Sequence, residues 1–212
     1  MSSNLMISGG TSGPASVSTI NGSTTAVRNL TLSASANGQA GDLLLEFCGA
    51  KHTAGLTVNP NWDGINIGWT EVIDQNAKPN IEVAWKLDGS GSDVSSVQTS
   101  VQAAVFGVLS TRWRFAAYDT IGAIATIVAD GNLVMPSITA VGGVLLAFMF
   151  ADNAATLGTP TGFNDVVSGT WGSGVSGWKL CQKPIGGGAT GTATSAVSGL
   201  SGTAGGVLVA LK

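Results

Sequence analysis

At 212 residues and a net charge of −3, the chain is long enough for one large β domain or two small ones. Only 10% of its residues are charged, against about 25% in an ordinary soluble domain. The nine Lys and Arg form no basic stripe of the kind that nucleic acid requires, and the longest apolar run, 141–151, is too short to cross a bilayer.

Residues 1–28 are a Ser/Thr/Gly tract with isolated apolar side chains, Leu5, Met6, Ile7, Val17 and Ile20. The tract has no period of 2 or 3.6, so it is expected to be an extended N-terminal arm held by its own domain or by a neighbouring subunit. Leu5 and Ile7 are its candidate partner contacts. It also lacks the basic and apolar regions of a secretion signal, so export by a signal peptide is not expected. Cys48 and Cys181 then read as small buried hydrophobes rather than a disulfide.

From Val27 onward strands alternate with turns. Leu30 and Leu32 flank Thr31 at period two, Asn37-Gly38 is a turn, and Leu43 to Phe47 is an apolar strand. Asn59-Pro60-Asn61 and Asp63-Gly64 mark a loop before Gly68-Trp69-Thr70-Glu71-Val72-Ile73. Ile81, Val83, Trp85 and Leu87 share one face of the next strand, which Asp88-Gly89-Ser90-Gly91 ends. Further strands are expected over 94–101 and 104–118, then 133–139, 141–150, 177–182, 190–197 and 207–211. Ser, Thr, Gly and Val dominate every window and disfavour helix.

Four landmarks occur twice in the same order. Gly41-Asp42-Leu43-Leu44 is matched by Gly143-Val144-Leu145-Leu146, and Gly68-Trp69 by Gly162-Phe163. Trp85-Lys86-Leu87 is matched by Trp178-Lys179-Leu180, and Gly107-Val108-Leu109 by Gly206-Val207-Leu208. A duplicated half-sheet explains the series. The expected fold is all-β, a jelly-roll-like two-sheet β-sandwich over 29–212, built from related halves at about 29–120 and 131–212.

The repeated residues build cores and turns, and none is a catalytic type. No Gly-x-Ser-x-Gly elbow is present, and the single histidine, His52, cannot supply a metal set or a Cys-His pair with Cys48 in any recognised pattern. Asp88 to Asp93 alternates oxygen-bearing residues but lacks the closing Glu of a calcium loop, and reads as an Asp-capped turn. Asp42, Glu46, Glu71, Asp74 and Glu82 are the carboxylates from which a glycosidase pair could be drawn. Trp62 and Trp171 stand in Gly-rich contexts where exposed rings could stack on sugar, while Trp69 reads as a core plug. In Arg112-Trp113-Arg114-Phe115 the arginines share one strand face, suited to an acidic partner surface. The candidate partner contacts are therefore Arg112, Arg114, Trp62, Trp171, Leu5 and Ile7. No catalytic, cofactor or metal residue is assigned.

The ordered set Gly41-Asp42-Leu43-Leu44, Gly68-Trp69-Thr70, Trp85-Lys86, Asp119 and Gly206-Val207-Leu208-Val209-Ala210 resembles β-sandwich proteins of tailed-bacteriophage virions, over about residues 28–212. The resemblance implies a non-enzymatic virion subunit without cofactors, made in the bacterial cytoplasm and carried on the virion: a capsid decoration or cement protein on the capsid exterior, a head fibre or a tail-associated protein. Its implied partners are copies of itself, as a trimer for example, and other virion proteins such as the major capsid protein, with no nucleic acid and no membrane. A tail fibre or receptor-binding subunit and a carbohydrate-binding module are the alternatives, the latter with a glycan as partner.

Overall fold

The computed structural model describes residues 13–24, 29–32, 37–51, 60–61, 68–75, 78–93, 96–99 and 105–212. Every regular element among them is a β-strand. The first half contains β1 (Ala15–Thr24), β2 (Asn29–Thr31), β3 (Leu43–Lys51), β4 (Pro60–Asn61), β5 (Thr70–Asp74), β6 (Asn80–Leu87), β7 (Ser96–Thr99) and β8 (Val105–Arg114). Four short strands follow: β9 (Tyr118–Ile121), β10 (Ala125–Ile127), β11 (Gly131–Met135) and β12 (Thr139–Ala140). The second half continues with β13 (Gly143–Ala151), β14 (Thr156–Leu157), β15 (Asn164–Trp171), β16 (Ser176–Ile185), β17 (Gly188–Ala189), β18 (Ala193–Ser198) and β19 (Ala204–Leu211).

Two antiparallel sheets make a sandwich. One has the order β1-β8-β3-β6-β5; the other runs β10-β19-β13-β16-β15, with β9 also on β19. The order β8-β3-β6-β5 thus recurs as β19-β13-β16-β15, and each half of the chain supplies one sheet. The halves form a single two-sheet sandwich, as a duplicated half-sheet predicts, with one sheet from each half around a shared interior. β3 and β13 are near-continuous apolar runs because they lie at the sheet centres with both faces covered. Leu43, Leu45 and Phe47 of β3 share one interior with Leu146, Phe148 and Phe150 of β13. The Phe47 and Phe148 rings stack with centroids 4.8 Å apart. Burying each such side chain contributes about 1.5–3 kcal/mol.

The interior is shaped by a pair of glycines. Gly49 of β3 lies opposite Gly107 of β8, and a Cβ at either would run into the ring of Phe150 or of Trp171. The rings of Phe150, Trp171 and Trp178 form a row, with centroids 5.8 and 5.3 Å apart. On the outer face of the second sheet lies the small sheet β11-β18-β14. Leu133, Met135, Ala193 and Val197 point inward there, and the strict alternation of β18 between buried and exposed positions is that of a strand with one dry face. Leu30 and Leu32, in and after β2, pack on the outer face of the first sheet with Leu44, Cys48 and Val108.

The doubled landmarks are equivalent in part. Gly68 and Gly162 both take left-handed φ values, 97° and 81°, and each precedes a buried aromatic, Trp69 or Phe163. Each ring lies under a lysine: Lys86 Nζ is 5.5 Å from the Trp69 centroid and Lys183 Nζ is 4.7 Å from that of Phe163. Trp85 and Trp178 both face the interior, but on different rungs: Trp85 is opposite Leu45, whereas Trp178 is opposite Phe150. The Gly-Val-Leu copies are offset by one residue, since Val108 packs on the outer face and Val207 in the interior. The same holds for Leu43, which is interior, and Leu145, which is on the outer face.

Ten residues of the expected arm, 1–28, are part of the first sheet. Ala15–Thr24 is β1, paired over nine positions with β8 and interrupted by one irregularity between Ser16 and Ser18. Leu5 and Ile7 lie outside the described residues.

Candidate functional site

At one end of the first sheet, the turn before β3, the turn after β6 and the end of β8 converge on four charges. Arg112, on the outer face of β8, is almost wholly buried and contacts the Asp88 carboxylate; its Nη1 is 3.6 Å from Asp42 Oδ2. Arg114, one rung further and a quarter exposed, grips Asp42 with two nitrogens: Nε to Oδ1 at 3.1 Å and Nη2 to Oδ2 at 3.2 Å. Its Nη2 also donates to the Asn37 carbonyl at 2.9 Å. The carboxylates are held in turn by their own loops. Asp42 Oδ2 accepts from the Gln39 N–H at 2.9 Å, and Asp88 Oδ1 from the N–H groups of Ser90 and Gly91 at 2.9 and 2.6 Å. Burial pushes the Asp42 carboxyl up, but the hydrogen bonds from Arg114 and Gln39 and the two guanidinium charges outweigh it, so its pKa lies below the ordinary value. Next door, Lys86 Nζ pairs with Asp93 at 2.7 Å. Asp88 to Asp93 is the Asp-capped turn expected from the sequence.

This arrangement corrects two expectations. Arg112 is no partner contact: the arginines do share a face, but that face is covered, and a buried guanidinium must find its carboxylates within the chain. Arg114 keeps one edge toward solvent. Trp171 is likewise buried, about 1% exposed, and offers no ring to a sugar. Gly172 and Gly174 after it do make a turn, with φ of 63° and 88°, but the ring lies inward against Gly107 of β8. Trp62 and His52 lie outside the described residues.

Four of the five carboxylates considered for hydrolysis, Glu46, Glu71, Asp74 and Glu82, lie close together on β3, β5 and β6 of the first sheet, apart from Asp42. Asp42 is bound by arginine. Glu46 and Glu82 are fully buried on the outer face of the first sheet, where Glu82 lies opposite Cys48 of β3 and Asp74 of β5. Burial pushes the Glu82 carboxyl up to about 10, helped by a hydrogen bond with Asp74 and by the charges of Asp74 and Glu71, against a weaker opposing bond from Asn80. Glu82 is therefore a neutral acid at pH 7. Both cysteines are free and buried. Burial and the neighbouring Glu82 and Glu46 push the Cys48 thiol well up, and burial with the Asp165 contact pushes Cys181 up to about 12. Neither thiol is a ready nucleophile.

A cleft of ≈ 430 Å³ opens beside the arginine cluster, between residues Gln39 to Asp42, Arg114 to Ala117, and Lys212. Phe115 forms one wall. Its φ of 54° is in the left-handed region and its side chain is 64% exposed. That backbone conformation costs a bulky residue on the order of 1–3 kcal/mol, and glycine would relieve it. A smaller hollow of ≈ 310 Å³ lies along β14, β15 and β16, beside Ser168, Thr170 and Lys179. Phe115 falls just past the end of β8, where the alternation that turns Trp113 inward stops, so its ring does not follow Trp113 into the interior.

Among the described residues, no three His, Cys, Asp or Glu side chains converge in a way that could hold a metal ion, and no helix is long and apolar enough to cross a membrane. Comparison with known protein families, with curated proteins and with solved structures gives no match to this chain.

Proposed function

We propose that the chain is a structural subunit of a tailed-bacteriophage particle, a decoration or cement protein on the capsid exterior, made in the bacterial cytoplasm and carried on the virion. The observation that carries this reading is the β1 edge. β1 pairs with β8 on one side only, and among the described residues no strand pairs with its other side. Ten residues of an unpaired edge without a single charge form a template for another chain. Proteins that remain monomeric usually guard such edges with Lys, Pro or inward-pointing charges. Here the only guard is the irregularity near Val17. An edge of this composition suits a subunit whose neighbour completes the sheet by strand addition. The low charge of the whole chain supports the same reading, because surface covered by neighbours has no need of a charged coat.

Mechanistically, the sandwich is a rigid body, and its edges and arm make main-chain hydrogen bonds to adjacent subunits. A subunit that binds only the assembled shell stabilises that shell by mass action, and symmetry multiplies weak contacts into avidity. The test is Asn21→Lys, which places a charge at an exposed position of the edge strand. The variant should fold as the parent does yet bind purified shells poorly. Equal shell binding by parent and variant refutes edge pairing as the mode of attachment.

A further inference from the structure

We propose that the cleft over Phe115 is a subsite for a neutral pyranose sugar, stacked by its apolar face on the Phe115 ring and held at its hydroxyls by Arg114, Gln39 and Lys212. The inference goes beyond the particle reading and does not depend on it. Three observations carry it.

The first is the ring itself. Phe115 occupies a left-handed position where glycine would be unstrained, and it turns most of its side chain to solvent rather than into the adjacent interior. An exposed aromatic kept in a strained conformation at the mouth of a cleft is a functional signature. The second is donor capacity. Arg114 is fixed through Nε and Nη2, and among the described residues its Nη1 has no partner. A guanidinium locked on one edge by Asp42 and open on the other is a preorganised donor. Lys212 Nζ, about half exposed, is only loosely engaged by Asp119 at 3.8 Å. The third is the charge balance. Arg112, Arg114 and Lys212 are matched by Asp42, Asp88 and Asp119, each within its own contacts. Those six side chains carry no excess charge with which to recruit an anion. What remains is an aromatic face, N–H donors and an amide side chain, which is the chemistry that recognises hydroxyls above an apolar ring face. The volume, ≈ 430 Å³, falls in the roughly 300–1,000 Å³ range of small-ligand sites.

The experiment uses the whole chain. Saturation-transfer NMR is run with neutral oligosaccharides of glucose, galactose and mannose, and with an oligomer of glucuronate as the charged comparator. Calorimetric titration follows for any sugar that responds. At least one neutral oligosaccharide should bind, more tightly than the glucuronate. Phe115→Gly should weaken that binding about tenfold or more while the thermal midpoint stays level or rises, because glycine removes the backbone strain. Phe115→Asn, which also tolerates the left-handed region, should lose binding in the same way. Val128→Ser is the control: it is exposed and follows Ile127, which pairs with Ala204 at the opposite end of β19 from Lys212. It should bind as the parent does. Failure of every neutral sugar to bind, tighter binding of the glucuronate, or binding that survives Phe115→Gly and Phe115→Asn each overturns the proposal.

Discussion

Glu82→Gln should make this protein more stable, and by an amount that depends on pH. Glu82 is fully buried on the outer face of the first sheet, facing Cys48 and Glu46 on β3 and Asp74 and Glu71 on β5. Folding raises its pKa from 4.5 to about 10, first through burial and then through Asp74 and Glu71. The folded chain therefore keeps a proton that the unfolded chain releases above pH 4.5. The contribution to stability is fully present below pH 4.5 and is lost progressively as pH rises toward 10. Each unit in that window costs on the order of 1 kcal/mol, so the rise from pH 4.5 to 7 costs at most about 3 kcal/mol. Gln keeps the shape and a neutral donor toward Asp74 and has no proton to lose. The expected gain at pH 7 is about 1–3 kcal/mol, allowing for relaxation around the site, and it should shrink to near zero at pH 4.5. Urea unfolding at pH 4.5, 7 and 9 measures it from the midpoints at constant m value. If the Gln variant is less stable than the parent at all three pH values, or if the difference between them does not grow with pH, the reasoning is wrong.

Three further outcomes test the packing. Gly107→Ala puts a methyl group into the Trp171 ring and should destabilise the fold by about 1–3 kcal/mol or more by thermal unfolding; a neutral effect would mean that the ring row is not tightly set. Arg112→Met strands Asp88 in a buried site and should cost about 3–5 kcal/mol, whereas the double variant with Asp88→Asn should recover a substantial part of that loss in a double-mutant cycle. Truncation through Thr24 removes β1 and bares the edge of β8, so it should lower the melting temperature relative to a truncation that stops before Gly13. Equal melting temperatures would show that β1 adds nothing to the domain.

The sheet centres were legible because their burial is two-sided. Leu43 to Phe47 and Val144 to Phe150 read as apolar runs, and the matching Gly-aromatic pairs marked equivalent positions in the two sheets. Register was not legible. In a strand the faces repeat every two residues, so a tripeptide such as Trp-Lys-Leu can slide by an even number of rungs and keep its tryptophan inward. The Gly-Val-Leu copies show the converse, since a one-residue offset reverses the faces. Outer-face burial was hidden as well. Alternation placed Glu82, Arg112 and Arg114 away from the interior, as found, but could not reveal that this second face is covered by other parts of the chain. The carboxylates that neutralise Arg112 lie in turns distant in sequence, at Asp42 and Asp88. Trp171 was misplaced because glycine has two uses: it makes turns, and it also leaves room for a ring. Strands as short as Thr139–Ala140 and Gly188–Ala189 leave no periodic trace at all.

The most direct measurement is cryo-electron microscopy of intact particles from cells that express this chain. The account predicts the sandwich at symmetry-related positions on the outside of the shell, with a neighbouring strand hydrogen-bonded along the free edge of Ala15–Thr24. Purified particles that lack the chain, or that carry it with that edge bare to solvent, would contradict it.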